Sequence, residues 1–224
     1  MTNQKGFTLI EIAIVLVIIG LLLGGVLKGQ ELITSAKVRN IISQQDGIKA
    51  AYFGFQDRYR AIPGDYAQAT ANIKDTLVNG DGNGIIEIAG SSATGKNETI
   101  GAWDHLSHAG FINGSYIYNA TDSDTSTPKN AYNAYLQIIH DAVYADTAAP
   151  NIRLNLKTGN QIPVEILAEI DRKIDDAIAD RGIFRYSSYV GAGAALVDAD
   201  CYNALGGAWL AAKQTVNCGG ASLF

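Results

Sequence analysis

The chain has 224 residues, of which 17% are charged and 47% belong to the hydrophobic set, and its formal net charge is −5. This length accommodates one ordinary domain and an additional element. The negative charge argues against a general nucleic-acid-binding protein, because such proteins need a basic surface that replaces counterions. The apolar residues are concentrated near the N-terminus, so the chain divides into parts of different character.

The first element is an apolar segment, residues 7–27, in which Glu11 is the single charged residue. As a helix, this segment would be roughly 30 Å long, which is the thickness of the hydrocarbon core of a bilayer. Residues 1–6 precede it as a short polar leader. An unpaired carboxylate in a membrane helix costs roughly 2.5–3.5 kcal/mol, so Glu11 is predicted to be functional and to have a partner.

The helical pattern continues beyond the apolar segment. Apolar residues recur at helical spacing on one face, while charged residues occupy the other faces. The sequence therefore predicts one long helix over residues 7–59, transmembrane in its N-terminal half and amphipathic in its C-terminal half. The apolar row of the second half is Val38, Ile41, Ile48, Tyr52 and Phe55.

The stretch Lys5-Gly6-Phe7-Thr8-Leu9-Ile10-Glu11 resembles the processing signal of type IV prepilins and type II secretion pseudopilins. The resemblance implies that a prepilin peptidase cuts after Gly6 and methylates the new terminal amine of Phe7. It also implies that Glu11 directs assembly by meeting the Phe7 amine of a neighbouring subunit, an attraction that is strong in a low-dielectric environment. The alternative is that Glu11 only reaches toward the membrane surface.

Four glycines distinguish this helix from those of many pilins, which carry a proline near its middle. Glycine weakens a helix by roughly 1 kcal/mol relative to alanine, so the cluster would let the helix loosen in a filament. Small residues also allow close packing of helices, and the sequence leaves both interpretations open. The residues are Gly20, Gly24, Gly25 and Gly29.

A separate globular head is predicted over residues 60–224, where the composition changes. Pro63-Gly64 marks a turn, and Asp65 with Gln68 three residues later fits a capping box that predicts a helix over residues 65–74. Further on, the sequence predicts a helix over residues 103–110, strands over 134–143 and 152–156, and a helix over 163–181. The fold class is therefore α+β and pilin-like, a long N-terminal helix with a head of a small sheet and helices.

A polar loop, NGDGNGIIE over residues 79–87, resembles the first nine positions of a calcium-binding loop. Position twelve is Gly90, where an EF-hand requires a glutamate, so the loop is a different kind of site. Asn-Gly and Asp-Gly also form tight turns without a metal, which is the alternative. Calcium in surface loops occurs in pseudopilins and some pilins, and the resemblance therefore favours Ca²⁺. The candidate ligands are Asn79, Asp81, Asn83, the Ile85 carbonyl, Glu87 and the more distant Glu98.

The two cysteines, Cys201 and Cys218, are predicted to form a disulfide. A membrane-directed N-terminus points to an oxidising compartment, and the intervening segment contains Gly206-Gly207 and Trp209, compatible with a closed surface loop. Many type IV pilins carry a C-terminal disulfide loop, which supports the pairing by resemblance. Two buried free thiols are the alternative.

No catalytic constellation is evident, since the chain lacks G-x-S-x-G and H-E-x-x-H motifs, and it is predicted not to be an enzyme. The resemblance implies a structural subunit of a type IV pilus or type II secretion pseudopilus. Its partners would be homologous pilin subunits in a helical filament, prepilin peptidase and an inner-membrane assembly platform. The alternative is a minor pilin or pseudopilin that primes assembly or binds secreted protein or DNA.

The same resemblance implies a location. Before assembly, the chain would be a single-pass inner-membrane protein with a periplasmic head. After assembly, it would belong to an extracellular pilus or a periplasmic pseudopilus. The predicted domains are thus a leader (1–6), a transmembrane and assembly helix (7–59) and the head (60–224).

Overall fold

The computed structural model describes residues 9–224. Helix α1 spans Leu9–Tyr59, and the chain divides into two compact units, residues 9–37 and Val38–Phe224. In the part of the chain that is described, α1 is the one helix long and apolar enough to cross a bilayer, a test that a signal sequence near the N-terminus also passes. The fold is α+β with a long N-terminal helix, as the sequence predicts.

Within the second unit, α1 buries one face in the head core. The buried positions recur at intervals of three and four, which places them on one side of the helix. They include the row predicted from the sequence, joined by the polar Gln45. The buried residues of α1 are Val38, Ile41, Gln45, Ile48, Ala51, Tyr52 and Phe55.

The head contains a four-stranded antiparallel sheet in the order β1-β2-β4-β3. Strands β1, Gln137–Asp141, and β2, Arg153–Lys157, lie within or beside the segments predicted as strands. Strand β3, Phe184–Tyr186, and strand β4, Gly220–Leu223, were not predicted. They are short, and β4 is rich in small residues with low strand propensity, so its pairing with β2 and β3 makes it a strand.

Short helices surround this sheet. In chain order, they are α2, Ala69–Asn72; α3, Glu98–His108; α4, Val164–Ile174; α5, Asp198–Cys201; and a 3₁₀ turn, Ala211–Lys213. Among the described residues, two large apolar clusters form most of the core, and a small third one contains Tyr144, Ala221 and Leu223. One of the two large clusters joins α1 to α4 and the disulfide through residues such as Ile41, Leu167 and Cys218, and the other joins α1 to α3 through Phe55 and Trp103.

Three helix predictions were wrong in extent. The helix expected over residues 103–110 is α3, which begins at Glu98 and ends at His108. The helix expected from Asp65 to residue 74 is reduced to the four residues of α2, and the Asp65 side chain binds a distant loop instead of capping a helix. The helix expected to reach residue 181 ends at Ile174. There the Asp175 backbone leaves the helical region (φ −149°, ψ −142°), and its carboxylate accepts the backbone N–H groups of Ile183 and Phe184.

Candidate functional sites

The N-terminal segment exposes its apolar side chains. From Leu9 to Ile33, the large apolar residues of α1 are exposed by 46% to 89%. Glu11 lies in the first turn of the described helix and is exposed. Gly6 and Phe7 lie outside the described residues, so the predicted cleavage and methylation positions remain predictions.

Three carboxylates from separate parts of the head meet beside the polar loop. They belong to Asp65, Asp81 and Glu98, and one oxygen atom from each lies within 4.8 Å of those of the others. Asp65 is 4% exposed and Glu98 is 1% exposed. The three residues take part in none of the ion pairs that the structure describes. This acidic cluster therefore concentrates negative charge in a mostly buried place.

The polar loop wraps around the Asp65 side chain, to which its backbone N–H groups donate hydrogen bonds. The Asp65 carboxylate accepts N–H groups from Gly82 at 2.6 Å, Asn83 at 3.0 Å and Gly84 at 2.9 Å. Gly84 has φ +94°, a conformation that side-chain-bearing residues rarely adopt. At Gly80, a Cβ atom would lie 2.2 Å from the Asp65 carbonyl carbon, so the close approach requires glycine. The glycines of the NGDGNG motif thus let the loop wrap a carboxylate.

Glu98 holds the two ends of the same loop. Its Oε1 accepts the backbone N–H of Asp81 at 3.0 Å, and its Oε2 accepts that of Glu87 at 3.1 Å. Burial raises the pKa of the Glu98 carboxyl to about 7, because the charged form loses hydration, and the nearby Asp81 and Asp65 charges raise it further against these hydrogen bonds. Burial also raises the pKa of Asp65. A cation in the cluster would relieve the cost of ionising these groups.

The structure separates the predicted calcium ligands into two groups. Asp81 and Glu98 belong to the acidic cluster. The side chains of Asn79, Asn83 and Glu87 have other partners. Asn79 Oδ1 accepts the Thr70 N–H, Asn83 Oδ1 accepts the Ile85 N–H, and the Asn83 amide donates to Glu87. Asp65 was missed as a site residue because it lies 16 positions before Asp81, and no local pattern connects a helix-capping signal with a loop.

His105 secures the turn that presents Asp65. Its Nδ1 accepts the backbone N–H of Gly64 at 2.9 Å, and its Nε2 lies 3.0 Å from the Val78 carbonyl oxygen, to which it donates. The ring is buried, and this burial lowers its pKa. Because both ring nitrogens have hydrogen-bond partners, His105 is a neutral structural residue that connects α3 to Gly64 and to Val78.

A second group of carboxylates supports the C-terminal part of the head. Asp171, Asp175 and Asp176 approach one another at the end of α4. The Trp209 indole N–H donates to Asp171 Oδ2 at 2.6 Å, and burial raises the pKa of Asp171 to about 6. These contacts tie the segment that carries Trp209 to α4, so their evident role is structural.

The predicted disulfide is present. Cys201 and Cys218 are fully buried, are bonded to each other and have Cα atoms 5.7 Å apart. The enclosed segment contains Trp209, which packs in the same apolar cluster as both cysteines.

Comparison with known proteins identifies one segment. Residues 1–27 match the family model described as the prokaryotic N-terminal methylation motif. The matched segment contains the predicted processing positions Gly6 and Phe7, and it also contains Glu11. No curated protein and no solved structure matches the chain.

Proposed function

We propose that this chain is a structural subunit of a pilus or pseudopilus filament. The premise is that residues 1–27 carry the prepilin signal of the type IV pilin and pseudopilin family. The signal marks a protein processed by prepilin peptidase, and this motif is the single observation that carries the proposal. It indicates a structural subunit rather than an enzyme. Homologous pilin subunits would be the partners in the filament.

The proposed processing would create a positive charge that Glu11 of a neighbouring subunit could meet. Cleavage after Gly6 would leave an amine on Phe7, and methylation would preserve its capacity for positive charge. Glu11 of one subunit would then attract the Phe7 amine of a neighbouring subunit. Among packed helices the local dielectric is low, so this attraction is strong and favours one stagger between subunits.

The exposed apolar surface of residues 9–33 supports the proposed location. Before assembly, this surface would lie in the inner membrane as a single span, with the head in the periplasm. An inner-membrane platform would then transfer the subunit to the filament, where neighbouring subunits cover the same surface. The filament would be an extracellular pilus or a periplasmic pseudopilus.

For the head, we propose that the acidic cluster of Asp65, Asp81 and Glu98 binds Ca²⁺. Carboxylate oxygens are the ligands that this hard cation prefers, and buried carboxylates in mutual proximity gain most from neutralisation. Asn79, Asn83, the Ile85 carbonyl and Glu87 remain proposed as further ligands, which would exchange their present hydrogen bonds for the ion. The ion would hold together the Asp65 turn, the loop and the start of α3.

Electron microscopy of filaments purified from the native host tests the proposed function, with mass spectrometry of their subunits. The expected result is that the chain is a filament component whose first residue is Phe7 carrying one methyl group. A chain that remains in the membrane with residues 1–6 attached would contradict the proposal. So would a chain cut after the apolar segment, in the manner of a secretory signal peptide.

A further inference from the structure

The chain contains three Asn-Gly dipeptides, which begin at Asn79, Asn83 and Asn113. In such a pair the glycine nitrogen can attack the side-chain amide carbon of the asparagine, because glycine has no side chain that crowds the approach. The reaction needs a glycine N–H that is free of hydrogen bonds and an asparagine side chain that can turn toward it. The three pairs differ in both respects.

In the two pairs of the polar loop, the glycine N–H is bound. The Gly80 N–H donates to the Tyr66 carbonyl oxygen at 3.1 Å. The Gly84 N–H donates to Asp65 Oδ2 at 2.9 Å. Each nitrogen would have to break this bond before it could attack, so the reaction there depends on a local opening of the loop.

The asparagine side chains of the loop are bound as well. Asn79 Oδ1 accepts the Thr70 N–H at 2.9 Å, and Asn83 Oδ1 accepts the Ile85 N–H at 2.9 Å. Asn83 and Gly84 are nevertheless exposed to solvent. Exposure alone therefore does not distinguish the loop from the third pair, whereas hydrogen bonding does.

The third pair, Asn113 and Gly114, lies in a bend after α3 and lacks both restraints. Both residues are exposed. Neither the Gly114 N–H nor the Asn113 side chain has a hydrogen-bond partner in the part of the chain that the structure describes. The bend is held instead through the Gly114 carbonyl oxygen, which accepts the Ser107 hydroxyl at 2.9 Å. This pair can therefore react without an opening of its surroundings.

We infer that Asn113 is a site of spontaneous deamidation. The Gly114 nitrogen forms a bond to Asn113 Cγ, the bond from Cγ to the side-chain nitrogen breaks, and that nitrogen leaves as ammonia with the proton of the Gly114 N–H. Water then opens the resulting five-membered imide at either carbonyl group, which leaves aspartate or isoaspartate at position 113. The reaction needs only water, so it does not depend on the proposed function as a filament subunit.

The product would carry a negative charge beside α1. Asn113 lines a cavity of about 320 Å³ together with Gln44, Gly47 and Tyr116, and none of the described residues that line it is charged. An isoaspartate would also add a backbone atom to the bend that the Ser107 hydroxyl holds. Deamidation would thus change both the charge and the shape of this surface as the protein ages.

Peptide mapping by mass spectrometry tests the inference on the full chain in detergent at pH 8, once folded and once unfolded in urea. In the folded chain, we expect Asn113 to deamidate faster than Asn79 and Asn83 by about tenfold or more, because bound groups must open before they react. In urea the three rates should converge, since each asparagine precedes a glycine. Comparable rates in the folded chain, no conversion of Asn113 there, or the same ranking in urea would overturn the inference.

Isoelectric focusing provides a second test. The folded wild type should accumulate an acidic form with time, and Asn113→Gln should not, because glutamine forms the corresponding larger ring more slowly. Asn119→Gln is the matched control, since Asn119 is an exposed asparagine of the same segment that precedes an alanine. Persistence of the acidic form in Asn113→Gln, or its equal loss in Asn119→Gln, would contradict the assignment to Asn113.

Discussion

Two carboxyl groups dominate the chemistry at the scale of single residues. Glu11 is an acid in an apolar helix, and its proposed role depends on a charge that belongs to another subunit. Glu98 is an acid buried in the head beside Asp65 and Asp81. Both carboxylates occupy places where a charge is costly, so substitution tests filament assembly for Glu11 and the dependence of stability on pH and calcium for Glu98.

Glu11→Ala should leave the head folded and strongly reduce filament assembly. Glu11 belongs to the unit of residues 9–37, and the head unit begins at Val38. The membrane should accept the variant more readily because the costly carboxylate is gone. Processing after Gly6, checked by mass, should persist, since the family's peptidase depends chiefly on the glycine. Filament counts by electron microscopy measure the effect.

Glu31→Ala is the matched control, because it removes the other acid of the same unit, an exposed residue paired with Lys28. Its filament count should stay near that of the wild type. If Glu11→Ala forms as many filaments as the wild type does, Glu11 is not the assembly contact.

Glu98 should make the calcium-free protein less stable as the pH rises. Its pKa is about 7 in the folded state against 4.5 for the ordinary group, so the folded state binds this proton more tightly. The resulting stabilisation is complete below pH 4.5 and is lost as the pH rises through 7. In denaturant unfolding of the full chain in detergent and chelator, the free energy of unfolding of the wild type should fall relative to that of Glu98→Gln between pH 5 and pH 8.

Calcium should reverse this trend. At pH 8, Ca²⁺ at ten times its dissociation constant should stabilise the wild type by roughly 1.4 kcal/mol. The expected dissociation constant is roughly 0.1–1 mM, as for extracellular modules. Glu98→Gln should gain much less, and the wild type should gain less at pH 5, where the proton competes. Equal melting temperatures in calcium and in chelator at pH 8 would contradict the calcium proposal.

At the scale of elements, the face of α1 that is buried in the head core contains one polar residue. Gln45 is 3% exposed, and neither atom of its amide group has a hydrogen-bond partner among the described residues. Its neighbours in the row, Ile41 and Ile48, belong to the two different apolar clusters of the core. Gln45 therefore lies where α1 passes from one cluster to the other.

Gln45→Met should stabilise the head by about 1–2 kcal/mol, because it removes an amide that is buried without partners and keeps a similar volume. Urea unfolding of the full chain in detergent measures the effect. Gln44→Met is the control, since the Gln44 nitrogen donates to the Lys129 carbonyl and only its oxygen lacks a partner among the described residues, so its replacement should bring a smaller gain. A loss of stability in Gln45→Met would mean that the amide is satisfied in solution.

At the scale of the whole molecule, long-range links hold the C-terminal part of the head in place. The disulfide joins α5 to the segment before β4, and the Trp209–Asp171 hydrogen bond joins the enclosed loop to α4. Strand β4 then lies between β2 and β3 in the sheet. The last 25 or so residues thus complete the core instead of forming an appendage.

Replacing both Cys201 and Cys218 with alanine should lower the free energy of unfolding by roughly 3 kcal/mol. The bond closes a loop with a sequence separation of 17 residues, and its loss gives conformational freedom to the unfolded chain. Denaturant unfolding of the oxidised wild type and the double variant provides the measurement. Two thiols that react with an alkylating reagent in the unreduced native protein would show that the bond is absent in solution.

Local pattern and composition were sufficient for several features. The end of α1 at Tyr59 and its buried row follow from helical periodicity, because each residue's face depends only on its spacing from its neighbours. The prepilin signal is contiguous, so residues 1–27 could be recognised without a fold. The disulfide had one possible intrachain partner for each cysteine.

Tertiary structure alone decided the features that depend on distant contacts. Asp65 joins Asp81 and Glu98 because the loop wraps its carboxylate, while its local pattern suggested only a helix cap. Helix α4 ends at Ile174 because the Asp175 carboxylate binds the backbone that begins β3, although the apolar spacing continues beyond it. Strand β4 forms because two partner strands supply its hydrogen bonds. In each case a contact between residues remote in sequence outweighs the local propensity, and no local pattern records such a contact.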